Sequence, residues 1–154
     1  MSVLIREAAF EPWTELAAYE RSRFPARGGF GACASFVGTM RDLNEGDSVA
    51  AMTLEHYPGM TERHLQAICA EAQARWALLD TLVIHRVGRL APGDPIVLVA
   101  AWSAHRAEAF TACRHIMEDL KSKAPFWKKE TTADGERWVA HNTAGVAVER
   151  ARES

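Results

Sequence analysis

Two groups of cationic side chains flank one amphipathic stretch of this chain, and their types suit the handling of an anion. His105 and Arg106 stand at its front, while Lys121, Lys128 and Lys129, with the acidic Glu130 beside them, stand at its rear. Guanidinium and ammonium groups hold phosphate or carboxylate through charge-assisted hydrogen bonds. An exposed helix N-terminus adds unpaired N–H groups to such a site. A lysine crowded by other cations also loses basicity, which opens acid–base chemistry to it near neutral pH. Each residue has an ordinary alternative. Arg106 could pair with a neighbouring carboxylate, His105 could be merely exposed, and last-turn lysines complement the helix dipole while their stems lie on the surface.

The elements that must position these groups are legible around them. Ser103 is the expected N-cap of a helix, and Pro125 is expected to end that helix at or before Ala124. Phe110, Cys113, Met117 and Leu120 fall at the spacing of one buried helical face. Lys121 follows Met117 by about one turn and so lies beside that face. In the strand expected next, Phe126, Lys128 and Glu130 point one way and Trp127 and Lys129 the other. Lys121, Lys128 and the His105–Arg106 pair are therefore expected to line one basic pocket with aromatic walls.

Upstream, the uncharged run from Phe30 to Met40 reads as a central strand that delivers Arg41 to a polar loop, Asp42 to Ser48. Its glycines suggest the close approach of another backbone or of a ligand. A first strand is expected over Val3–Ala9 and a short helix over Pro12–Tyr19, with proline near its first position. A strand over Val49–Tyr57 precedes a helix capped by Thr61, with a stripe of Leu65, Ile68, Cys69, Ala72 and Trp76. Thr81–Val87 and Pro95–Trp102 read as strands joined by a hairpin or a longer excursion, the second feeding the basic helix directly. Asp134-Gly135 signals a hairpin, and His141 to Ser154 is expected as a tail or a partner-dependent segment. Roughly seven strands and three helices, mixed rather than alternating, imply an α+β fold with a largely antiparallel sheet.

The length of 154 residues suits one domain, 1–154, with its own core. A net charge of -2 disfavours nucleic acid as the main partner and leaves a local basic pocket for a small anion. Neither a signal peptide nor a membrane span is expected, so the chain is placed in the cytoplasm. Cys33, Cys69 and Cys113 are odd in number and set among apolar residues, which reads as reduced core cysteines. Cys113 has the chemistry of a nucleophile, but its place on the apolar face favours packing. His56 and His64 lack a third ligand at useful spacing, so no metal site is expected.

Several blocks together resemble one family. They are Thr53–Glu62, Ile84–Gly88, Pro92-Gly93-Asp94, Ser103–Phe110 and Leu120-Lys121-Ser122-Lys123-Ala124-Pro125-Phe126-Trp127-Lys128-Lys129-Glu130. In this order, from about Gly31 to Val139, they look like the large, catalytic subunit of molybdopterin synthase, the MoaE family. The resemblance implies an α+β domain of α/β-hammerhead type. It also implies a sulfurtransferase that converts cyclic pyranopterin monophosphate into molybdopterin. Sulfur would arrive as a thiocarboxylate on the C-terminal glycine of a small ubiquitin-like subunit. Two large subunits would pair, with a small subunit at each end, and no resident cofactor or metal is implied.

By motif, the resemblance makes Lys121 the essential lysine near the incoming C-terminus and Lys128 a second important lysine. Lys129 and Glu130 fall in the substrate-contacting stretch, and Thr39, Met40 and Arg41 at a substrate-contacting strand end. His105 and Arg106 match pterin or phosphate contacts, in their own pocket or a neighbour's, and Phe36 is expected to wall the pocket. An ordinary lysine, with a pKa near ~10.4, is a poor base at neutral pH. Crowding would lower one of the pair, and Lys121 is assigned the acid–base role with Lys128 as anchor. After Val139 the chain departs from the acidic, helical-looking tail of many relatives. Two other readings compete: an anion-binding regulatory domain, and a single-strand nucleic-acid module stacking bases on Phe126 and Trp127.

Overall fold

The computed structural model describes residues 1–44 and 46–139. The expected tail from His141 to Ser154 lies outside the described residues. The elements run β1 (Ser2–Arg6), α1 (Pro12–Arg23), β2 (Ala32–Thr39), β3 (Leu43–Asn44), β4 (Asp47–His56), α2 (Met60–Trp76), β5 (Asp80–Arg86), β6 (Gly88–Leu90), β7 (Pro95–Ser103), α3 (Arg106–Lys123), β8 (Phe126–Thr132) and β9 (Gly135–Trp138). The α+β expectation holds. One sheet has the order β1-β5-β7-β2, with β1 parallel to β5 and the other pairs antiparallel. A second has the order β3-β4-β8-β9, with β6 added beside β4. The segment between β5 and β7 is thus an excursion into the second sheet, and β8 and β9 form the expected hairpin.

β5 is buried along its whole length and β7 carries a near-continuous apolar run, because both faces of the first sheet are covered. On one face Val83, Val99 and Ala101 pack against Leu65, Ile68, Ile116 and Leu120 of α2 and α3. On the other, Leu82, Leu98 and Trp102 meet Leu16 and Tyr19 of α1. Met52, Leu54 and Leu90 make a smaller core in the second sheet, and Ile96 packs against both this cluster and the helix-side core. Burial of this kind contributes about 25 cal/mol per Å² of apolar surface.

Several boundaries differ from expectation for local reasons. Ser103 does not cap α3. Its backbone pairs with Ala32 as the last residue of β7, and its hydroxyl accepts from the His105 N–H at 3.0 Å and donates to the His105 carbonyl. His105 is the N-cap, without a side-chain cap bond. The α2 cap is Gly59, at φ +80°, whose N–H donates to the Glu62 carboxylate at 2.6 Å. Thr61 instead lies inside the first turn. Phe110 is 68% exposed, because the buried face of α3 centres on Ala109, Ala112, Cys113, Ile116, Met117 and Leu120. Gly31 meets the expectation of close approach: a Cβ there would lie 2.0 Å from the Ala104 carbonyl oxygen. Among the described residues no helix is long and apolar enough to cross a membrane.

Candidate active site

The last turn of α3 and the start of β8 meet at Pro125, which turns the chain so that Lys121 and Lys128 face one cleft between the two sheets. Thr39, Met40 and Arg41 enter it from the end of β2, Ile96 from β7 and Glu130 from β8. This part of the cleft has a volume of about 120 Å³. An adjoining lobe of about 40 Å³ is walled by His85, Leu120, Phe126 and Trp127 and shares Met52, Ile96, Lys121 and Lys128 with the first. Both lobes are small beside the few hundred Å³ that usually enclose a ligand of drug size.

The junction is pinned from outside. The Thr61 hydroxyl accepts from the Tyr57 N–H at 3.0 Å and donates to the Pro125 carbonyl at 3.1 Å, tying α2 to the turn that separates the two lysines. Phe126 stacks on the His85 ring, with centroids 3.9 Å apart and planes 17° from parallel. Neither contact has a signature that spacing could have revealed, since both partners lie far away in sequence.

Burial lowers the Lys121 pKa from the ordinary lysine value, and the neighbouring Lys128 charge lowers it further. Burial also lowers Lys128; Glu130 opposes that shift and Arg41 adds to it. Glu130 is itself buried, and its carboxylate is already engaged. It accepts from the Asn44 amide at 2.6 Å and from Arg137 at 3.2 and 3.3 Å, while Arg137 reaches Asp47 at 2.8 Å. Glu130 thus ties the short β3–β4 hairpin to β8 and compensates charge beside Lys128. Asn44 and Arg137 went unremarked in the sequence because this role depends on a pairing across 86 and 93 positions.

Six of the expected residues therefore meet: Thr39, Met40, Arg41, Lys121, Lys128 and Glu130. Lys129 points to the other face of β8, pairing with Glu136 at 2.9 Å and lying 5.5 Å from the Trp138 ring centre. Phe36 is 42% exposed and lines a separate apolar groove with Phe110, Cys113 and Met117. His105 and Arg106 begin the helix that Lys121 ends, so about 22 Å of helix axis separates Arg106 from Lys121. They do not enter this chain's own cleft. Glu71, His115 and Asp119 bring candidate metal ligands within 4.8 Å of one another, but none of them lines the cleft and Lys123 already pairs with Asp119 at 2.8 Å. Burial pushes the Cys113 thiol up to about 11, in keeping with packing rather than nucleophilic attack.

Residues 8–123 match the family described as MoaE protein. The chain belongs to the MoaE family. Among relatives, a molybdopterin synthase catalytic subunit from Ralstonia nicotianae is 55% identical over 150 residues, covering 97% of this chain and 81% of that protein. A protein of the same description from Pseudomonas aeruginosa is 52% identical over 139 residues, covering 90% of each. The solved MoaE protein of Burkholderia ambifaria superposes with a TM-score of 0.77 at 52% identity, covering 94% of this chain and 92% of that one. A complex of subunits 1 and 2 of molybdopterin-converting factor from Helicobacter pylori shares the fold, with a TM-score of 0.75 at 20% identity over 96% of this chain and 98% of that one. The α+β domain expected for the MoaE family is thus the one observed.

Proposed function

We propose that this chain is the catalytic subunit of a molybdopterin synthase. It transfers sulfur from the thiocarboxylated C-terminus of a small ubiquitin-like partner to cyclic pyranopterin monophosphate, in molybdenum cofactor biosynthesis. The observation that carries the reading is the convergence of two partly buried lysines and Arg41, from three different elements, on one cleft in a mildly acidic protein of this family. Both reactants are anionic. Arg41 and Lys128 hold them by charge, while Lys121, whose basicity burial and Lys128 reduce, moves protons as the sulfur is passed on. The reaction so written needs no resident cofactor or metal.

The distance along α3 supports placing the His105–Arg106 pair in the pocket of a second copy of the chain. A cleft of this volume leaves a pterin-sized substrate partly uncovered, and a symmetric dimer that sets the partner's helix start over it would complete the site. The exposed groove at Phe36 and Phe110 suits such an apolar interface. With a small subunit at each end, the assembly is a heterotetramer. Three unpaired cysteines suit a reducing compartment, and the cytoplasm is the proposed location.

Intact-protein mass spectrometry of the partner tests the transfer. Mixed with wild-type chain and substrate, the partner's thiocarboxylate should become a carboxylate, and with Lys121→Ala it should persist. A thiocarboxylate that persists with wild-type chain while substrate binds normally would favour an anion-binding domain instead.

A further inference from the structure

We propose that His85 is a positioning residue for Lys121. Its neutral imidazole presents Nε2 to the cleft as an acceptor and fixes the direction in which the lysine exchanges protons. The inference rests on the reading of Lys121 as the proton carrier.

His85 lies in the middle of the first sheet, on β5, paired with Val97 of β7 and with Ile5 of β1. A strand flanked on both sides is a rigid mounting, and the side chain is buried. Its ring is held in two ways. One face is stacked on Phe126. Nδ1 lies 2.8 Å from the carbonyl oxygen of Arg86. A carbonyl can only accept, so Nδ1 carries the proton, and in a neutral ring Nε2 is left with its lone pair. The ring is neutral at physiological pH because burial, with Lys121 and His56 nearby, pushes its pKa down to about 3.

A buried lone pair left without a donor is costly. Much of the lobe around His85 is apolar, formed by Met52, Leu54, Ile96, Leu120 and Ala124, and the N–H donors that line it belong to Lys121, Lys128 and Trp127. Of these, Lys121 is the group whose charge acts on His85. Lysine keeps at least two N–H groups in either protonation state, so His85 can accept from it throughout a proton-transfer cycle. A side chain on a flexible four-carbon stem thereby gains one fixed direction. The ring itself takes no proton, since its basicity is too low, and it acts only through Lys121.

Two substitutions separate this role from packing. His85→Asn keeps a donor for the Arg86 carbonyl but stops short of the cleft, whereas His85→Gln places an acceptor near the former Nε2. In the assembled enzyme the Asn variant should lose roughly 10- to 100-fold in kcat with KM little changed, and the Gln variant should recover most of that loss. An Asn variant at the wild-type rate, or Asn and Gln variants falling together, overturns the proposal. A readout on unsubstituted His85 guards against misfolding. Long-range ¹H–¹⁵N NMR of the wild-type ring should show an unprotonated Nε2 at neutral pH whose shift moves in Lys121→Met. A protonated Nε2, or a shift that stays put, overturns the proposal. Undiminished turnover by Lys121→Met removes the reading of Lys121 and this inference with it. Inert His85 substitutions in an enzyme that Lys121→Met silences remove this inference alone.

Discussion

If Arg106 serves the pocket of a second copy, two inactive variants should repair each other when mixed. Within α3 the fifteen positions from Arg106 to Lys121 span about 22 Å, more than the two side chains together can bridge. Loss of one charge-assisted contact to a bound anion costs about 1.5–3 kcal/mol, so Arg106→Ala alone should retain at most about a tenth of wild-type turnover. Lys121→Ala should be lower still. In a mixed dimer, one pocket carries both substitutions and the other carries neither. Purification through both tags leaves mixed dimers alone, and one of their two pockets is intact, so turnover should return to about one half of wild type. The assay is sulfur transfer by co-expressed variants bearing different tags, purified through both tags and compared with each parent. Turnover no higher than the mean of the parents would refute the placement of Arg106 in the partner's pocket.

Other consequences follow from the charges of the cleft. Lys128→Met removes one of the two causes that lower Lys121, so the ascending limb of kcat against pH should move to higher pH; movement to lower pH would contradict the assignment. Glu130→Gln removes the carboxylate that holds Asn44 and Arg137, and should raise KM several-fold while increasing proteolysis within residues 42–47, read by limited digestion. Away from the cleft, Asp80 is buried against the N-terminal ammonium, Arg23 and Tyr19. Asp80→Ala should cost about 2–3 kcal/mol and lower Tm by roughly 4–12 °C. Burial alone would raise the Asp80 pKa, but its hydrogen bonds to the N-terminus, Arg23, the Thr81 N–H and Tyr19 outweigh it and lower it. A depressed carboxyl contributes stability above its unfolded value, near ~3.9, and loses it as pH falls through the folded one. Acid unfolding followed by circular dichroism should therefore begin at lower pH in the wild type than in the variant.

The Lys121–Pro125–Lys128 arrangement was legible because a proline stop and a two-residue strand period both act locally. Arg41 was legible for the same reason, at the end of an uncharged run. The face of α3 was misread at Phe110, since alanines at 109 and 112 carry little hydrophobic signal yet fit against the sheet where a phenyl ring does not. β3 and β6, of two and three residues, are too short for any periodicity and exist through pairing with β4. Thr61, His85 and Asn44 act through partners distant in sequence, so their contribution emerges only in three dimensions. The roles of the two lysines came from the resemblance to the MoaE family, because a basic pair at a helix end is by itself a common surface feature.

The most direct test of the central claim reads the pterin product. The chain would be mixed with a thiocarboxylated ubiquitin-like partner and cyclic pyranopterin monophosphate, with Lys121→Ala in parallel, and the products analysed by mass spectrometry. The account predicts the dithiolene with wild type and its loss with the variant. No dithiolene from wild type, with partner and substrate intact, would contradict it, as would an equal yield from both proteins.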